Sequence, residues 1–153
     1  MKQSAKDDIV QSQMRPGVIT RDGMLGADRR KLCDILEADA AAVSRLGLTH
    51  AGIAARMRAL RDAGARGLGE PVCVLDHFEV RVDSVRGTLP CTFMHQGMYQ
   101  KEFVEVRNLR NGEQVTFTEL NIHLIGEHGF YEGLGSAYRQ EPETLSRVLE
   151  IVP

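Results

Sequence analysis

The sequence predicts an α+β fold: an N-terminal helical hairpin, a central antiparallel sheet of four to five strands, and a C-terminal helix-loop-helix. Three observations carry that expectation. Apolar residues recur at helical spacing from Leu32 to Leu60, and the period changes to two from Val72. Asn111-Gly112 then places a tight turn between two alternating runs.

Size and composition set the frame. With 153 residues, 42% apolar and 26% charged, the chain suits an ordinary globular domain with a normal core. We read residues 1–17 as a polar, flexible arm ending in Pro16-Gly17, and 18–153 as a single α+β domain. A net charge of −2 supplies no general attraction to nucleic acid or to an anionic membrane surface. The three cysteines lack disulfide-scaffold spacing, which points to a reducing, cytoplasmic compartment. The start, MKQSAKDDIVQSQMRPG, has no apolar stretch of signal-peptide length. No later run reaches the ~20 apolar residues that cross a bilayer, so no membrane partner is expected.

The elements follow in order. Val18-Ile19-Thr20 reads as a short strand. Asp28 is placed to cap a helix in which Leu32, Ile35, Leu36 and Ala40 share a face, running to Leu46 and stopping at Gly47. Thr49 caps the next helix, with Ile53, Met57 and Leu60 as its apolar stripe. Val72/Val74 and Phe78/Val80/Val82 mark two strands joined near Asp76-His77. Gly87–Phe93 reads as a further edge strand, since Pro90 cannot donate to a central ladder.

The Asn111-Gly112 turn, taken as type I′, pairs Arg110 with Glu113 and Val106 with Phe117. Val104, Val106, Val115 and Phe117 then share one apolar face. Thr116 and Glu119 have capping-box spacing for a helix carrying Leu120, Leu124 and His128, which Gly129 would end in the left-handed conformation. The alternation of Leu120, Ile122 and Leu124 also fits a strand, although the helix fits better. Glycines 129, 133 and 135 suggest a long loop before a short helix opened by Pro142, with Leu145, Val148 and Leu149 turned inward.

Two motifs bear on function. The segment GLTHAGIAARMRALRDAG, Gly47 to Gly64, resembles the second half of the helix-turn-helix in feast/famine (leucine-responsive) transcription regulators. That resemblance implies a helix-turn-helix over 28–66, DNA as a partner and a homodimer matched to a two-fold site. It would bring Thr49, His50, Gly52, Arg56 and Arg58 to the major groove. The same helices also suit an ordinary packed hairpin with a solvated basic face.

The second motif joins two places. Cys91 and His95 form a Cys-x₃-His pair before the Asn-Gly hairpin, and His123 and His128 a His-x₄-His pair after it. Thiolate and imidazole are the ligands that zinc prefers, and a chain reversal between the pairs lets them converge on one ion. On a helix the two histidines stand ~140° apart, so convergence requires the helix to end or tighten near Gly126–Gly129. The alternative is a core histidine at 123, a helix-end histidine at 128 favoured by the dipole, and a packed thiol at 91. A catalytic version would use Glu127 as a base, Glu119 or Glu132 as a further ligand, or Cys91 with a histidine as nucleophile and base. The His-Glu-x-x-His spacing of helical zinc enzymes is missing. The expectation is therefore a small binding or regulatory domain stabilised by a zinc-type site. A DNA-binding regulator and a small metal- or thiol-dependent enzyme are the alternatives, and the balance leans against an enzyme.

Overall fold

The computed structural model describes residues 2–153. Its elements are α1 (Ala5–Gln13), α2 (Leu32–Arg45), α3 (His50–Gly64), a 3₁₀ turn (Ala65–Gly67), β1 (Val72–Val74), β2 (Phe78–Pro90), β3 (Met98–Asn108), β4 (Gln114–Thr118), α4 (Glu119–His128) and α5 (Pro142–Val148). The strands form one antiparallel meander in the order β1-β2-β3-β4. The α+β expectation holds.

Alternation sets the faces of the sheet. Phe78, Val80, Val104, Val106 and Phe117 are fully buried, with Val82 and Val115 nearly so. They pack against Ile53, Met57 and Leu60 of α3, Ile122 and Ile125 of α4, and Leu145, Val148 and Leu149 at the C-terminus. α3 approaches β2 so closely at Gly64 that a Cβ there would run into Val80. A second cluster holds Val10, Met14, Leu32 and Ile35 against Leu120, Leu124, Phe130 and Cys91. α4 therefore lies between two apolar masses, which is why Leu120 to Ile125 are all buried.

Several local expectations are corrected. The stretch read as a flexible arm carries α1, capped by Ser4, with Val10 and Met14 each 1% exposed. Gln3 and Gln11 accept the Cys33 and Leu32 N–H groups, satisfying donors at the start of α2. Val18–Thr20 is turn rather than strand. α2 begins at Leu32, not after Asp28; Asp28 instead pairs with Arg30 at 2.6 Å and accepts the Leu134 N–H. Gly87–Pro90 continues β2, with the register shifting between Ser84 and Thr88, and Pro90 ends that strand opposite Met98. α2 and α3 follow one another but pack on different neighbours: α2 on α1 and α5, α3 on α4 and the sheet.

The β3–β4 hairpin also differs from the two-residue turn. Asn108 donates to Glu113, Gly112 to Asn108, and Val106 stands opposite Val115. A type I′ turn needs φ above zero at both central residues, and only Gly112 has it. Asn108 is buried, its side chain donating to the Val148 carbonyl and the Glu150 carboxylate, which ends the strand early and opens a longer loop. The register moves by two residues, so each side chain keeps its face. The capping box forms two residues later than expected. Thr118 accepts the Asn121 N–H, Asn121 accepts the Thr118 N–H, and Gly129 closes α4 at φ 61°.

Candidate metal centre

Local structure brings all four candidate ligands, Cys91, His95, His123 and His128, to one corner. β4 stops at Thr118, having paired only with the half of β3 from Phe103 to Arg107. α4 starts there and packs along β3, reaching the 91–97 connection between β2 and β3. Cys91 leaves β2 into a tight turn, with Met94 in the left-handed region at φ 60°. Cys91 packs in the same cluster as Leu120 and Leu124.

The ligand atoms of Cys91, His123 and His128 lie within 4.8 Å of one another, close enough to hold a metal ion. Cys91 Sγ is 3.5 Å from His128 Nε2. The His123 and His128 rings are 5.2 Å apart at 79°. They converge at the C-terminal end of α4, where His128 is the last helical residue and its ring stacks on Phe93 at 4.3 Å. His95 is exposed and borders this set, its ring 5.0 Å from His123 and 5.6 Å from His128.

The histidine at 123 is oriented. Its Nδ1 shares a hydrogen bond of 3.0 Å with the Tyr99 hydroxyl. Its Nε2 is buried and has no hydrogen-bond partner among the described residues. An orphaned buried polar group costs about 1–3 kcal/mol, so this nitrogen calls for a partner that the surrounding side chains do not give. Metal-bound imidazoles commonly have one nitrogen on the ion and the other on a fixed oxygen.

Electrostatics agree with ligation. Burial, then the neighbouring His128 and His95, push His123 down to about 4. Burial also lowers His128, with His95 adding to it. Both rings are therefore neutral near pH 7, the form that binds metals. Burial raises the Cys91 thiol, while backbone donors at Phe93 and His95 favour its anion; the Phe93 N–H sits 3.4 Å from Sγ. A cation at this point would reverse the thiol's preference and deprotonate it. Cys-His₂, with or without His95, is a zinc-type donor set.

Other sequence candidates lie elsewhere. Glu119 pairs with Arg58 at 3.3 Å, and Glu132 is bound to Asn121 and Ser136. Glu127 is exposed. Tyr99 and Phe93 were not anticipated: the sequence places them in a polar, glycine-containing segment, and only their contacts with the histidines give them a role.

The residues that the helix-turn-helix resemblance would bring to DNA are engaged within the chain. Thr49 caps α3 through the Gly52 N–H. His50 shares a 2.8 Å hydrogen bond with the Tyr131 hydroxyl. Arg56 donates to the Leu149 carbonyl at 2.9 Å, its guanidinium 5.4 Å from the Phe78 ring centre. Arg58 holds Glu119.

Compared with known proteins, the chain matches no family model, no curated protein and no solved structure.

Proposed function

We propose that this chain is a zinc-binding domain with a binding or regulatory role, in which Cys91, His123 and His128 hold the ion and His95 supplies the fourth ligand. The observation that carries the reading is the buried, unpartnered Nε2 of His123 beside a cysteine and a second histidine. Four protein ligands make a closed, structural site; three would leave a position for water. His95 stands on the exposed connection, so its ligation draws residues 91–97 onto the end of α4. The ion thereby sets the position of Met94 and Met98, two exposed apolar side chains in and beside that connection. Binding at that end of the molecule would follow metal occupancy.

Elemental analysis of the purified chain after exposure to zinc tests this. A single equivalent is expected, lost in Cys91→Ser and in His123→Ala, and held less tightly in His95→Ala. A chain that takes up no zinc, or whose zinc survives both Cys91→Ser and His123→Ala, overturns the proposal.

A further inference from the structure

A cavity of 260 Å³ opens between the 19–24 segment, β3 and the 132–138 segment, apart from the metal ligands. Its walls are mainly apolar, with Ile19, Met24, Leu89 and Leu120 beside Phe103. The Tyr138 ring, also in the wall, lies 5.7 Å from that of Phe103. Small-molecule sites have this character: an apolar cleft with few, fixed polar groups.

Two buried acids line the cavity, Glu132 at 6% exposed and Glu102 at 2%, beside the exposed Arg21, Asp22 and Lys101. Glu102 is already held by the Arg61 guanidinium, whereas Glu132 stands with Ser136. Its carboxylate accepts from Asn121 Nδ2 at 2.6 Å and from Ser136 Oγ at 2.7 Å, both neutral donors. Arg139 is close, but its guanidinium is held by Asp39 and Glu141 and reaches only the Glu132 carbonyl oxygen. Among the described residues, Glu132 has no ion-pair partner. Burial raises its pKa, opposed by the Ser136 and Asn121 hydrogen bonds and by the charge of Arg139, as expected for a carboxylate taken out of water. Its backbone is held at φ 67°, in the left-handed region that a glutamate rarely adopts. The cause lies next door: Gly133 donates to the Met24 carbonyl and sits so close to Leu25 that any Cβ there would collide with its backbone. Strain held by its surroundings, at a buried acid lining a cavity, is a pattern of ligand sites.

We infer that this cavity binds a small organic ammonium ion, a primary amine on a short apolar or aromatic body, with Glu132 as its counter-ion. Each carboxylate oxygen still has accepting capacity beyond its one protein donor. An ammonium group supplies the missing charge and three donors. The Phe103 and Tyr138 rings offer faces to the cation or walls to its body. An anionic ligand of the same shape would meet Glu132 unfavourably. A bare divalent metal would compete with Arg61 for Glu102 and leave the apolar volume unfilled. The volume falls below the ~300–1,000 Å³ of sites for drug-sized ligands, which limits the body to about one ring or a short chain.

Calorimetry on the full chain tests this with phenethylamine and butylamine, each beside the alcohol and the carboxylate of matching skeleton. At least one amine should bind saturably and at least ~10-fold more tightly than its alcohol, with the carboxylate weakest. Glu132→Gln should remove that preference. Ala137→Trp, at an exposed position on the cavity wall, should abolish amine binding while leaving the circular dichroism and zinc content unchanged. If Glu132→Gln does not fold, the Ala137→Trp variant still decides. Equal binding of amines and alcohols, no saturable binding by either amine, or full amine affinity in Ala137→Trp overturns the inference.

Discussion

His123 carries the most information of any single residue in the chain. One nitrogen is held by Tyr99 and the other is buried without a partner, so the ring is fixed in direction before any ligand arrives. When Nε2 ligates an ion, Nδ1 carries the proton and donates to the Tyr99 oxygen. Tyr99→Phe keeps the ring's shape and removes that acceptor. Zinc affinity should then fall ~10–100-fold, the usual cost of losing the oxygen behind a ligand histidine, while the fold stays intact by circular dichroism. Unchanged affinity in a competition titration would show that Tyr99 does not orient the ligand. Cys91 was nameable from sequence because it pairs with His95 just before a hairpin that turns the chain back toward His123 and His128. Tyr99 was not, because nothing in MHQGMYQ distinguishes a hydrogen-bonded tyrosine from a surface one.

Among the elements, β4 and α4 decide where the site falls. Phe117 is the residue by which β4 is anchored: it is fully buried, opposite Val104, and directly precedes the Thr118 cap. Phe117→Ala should destabilise the fold by ~3–5 kcal/mol, read from denaturant unfolding. A loss under ~1 kcal/mol would mean that this sheet face does not carry the core. The sequence-based register was displaced by two residues, yet the apolar face survived, since a strand's face depends on the parity of the register and not on its value. The cap moved from Thr116/Glu119 to Thr118/Asn121 because Thr116 remains in the sheet, opposite Glu105. Local propensity could not choose between two capping pairs two residues apart; the end of strand pairing did.

Taken whole, the molecule packs α4 between two apolar clusters, with α1 and α2 covering the second of them. α2 is tied to the 129–141 segment by a buried ion pair, Arg139 to Asp39 at 2.7 Å. The sequence suggested the α+β order and the antiparallel sheet because periodicity is local. It could not reveal that residues 5–14 cover a helix, since Val10 and Met14 are the buried apolar side chains that an otherwise polar stretch supplies to that contact. It could suggest that Cys91 and the α4 histidines converge, since the chain reverses between them, but not that His95 stays at the rim. The cavity around Glu132 was not readable at all, because its walls come from five separate stretches of the chain, at 19–24, 89, 100–103, 118–120 and 132–138. X-ray absorption at the zinc edge addresses the proposed ligand set as a whole. The account expects one sulfur at ~2.3 Å and nitrogens at ~2.0–2.1 Å around the zinc, with the sulfur gone in Cys91→Ser. A zinc shell with no sulfur in the wild-type chain, or a sulfur that persists in Cys91→Ser, would contradict it.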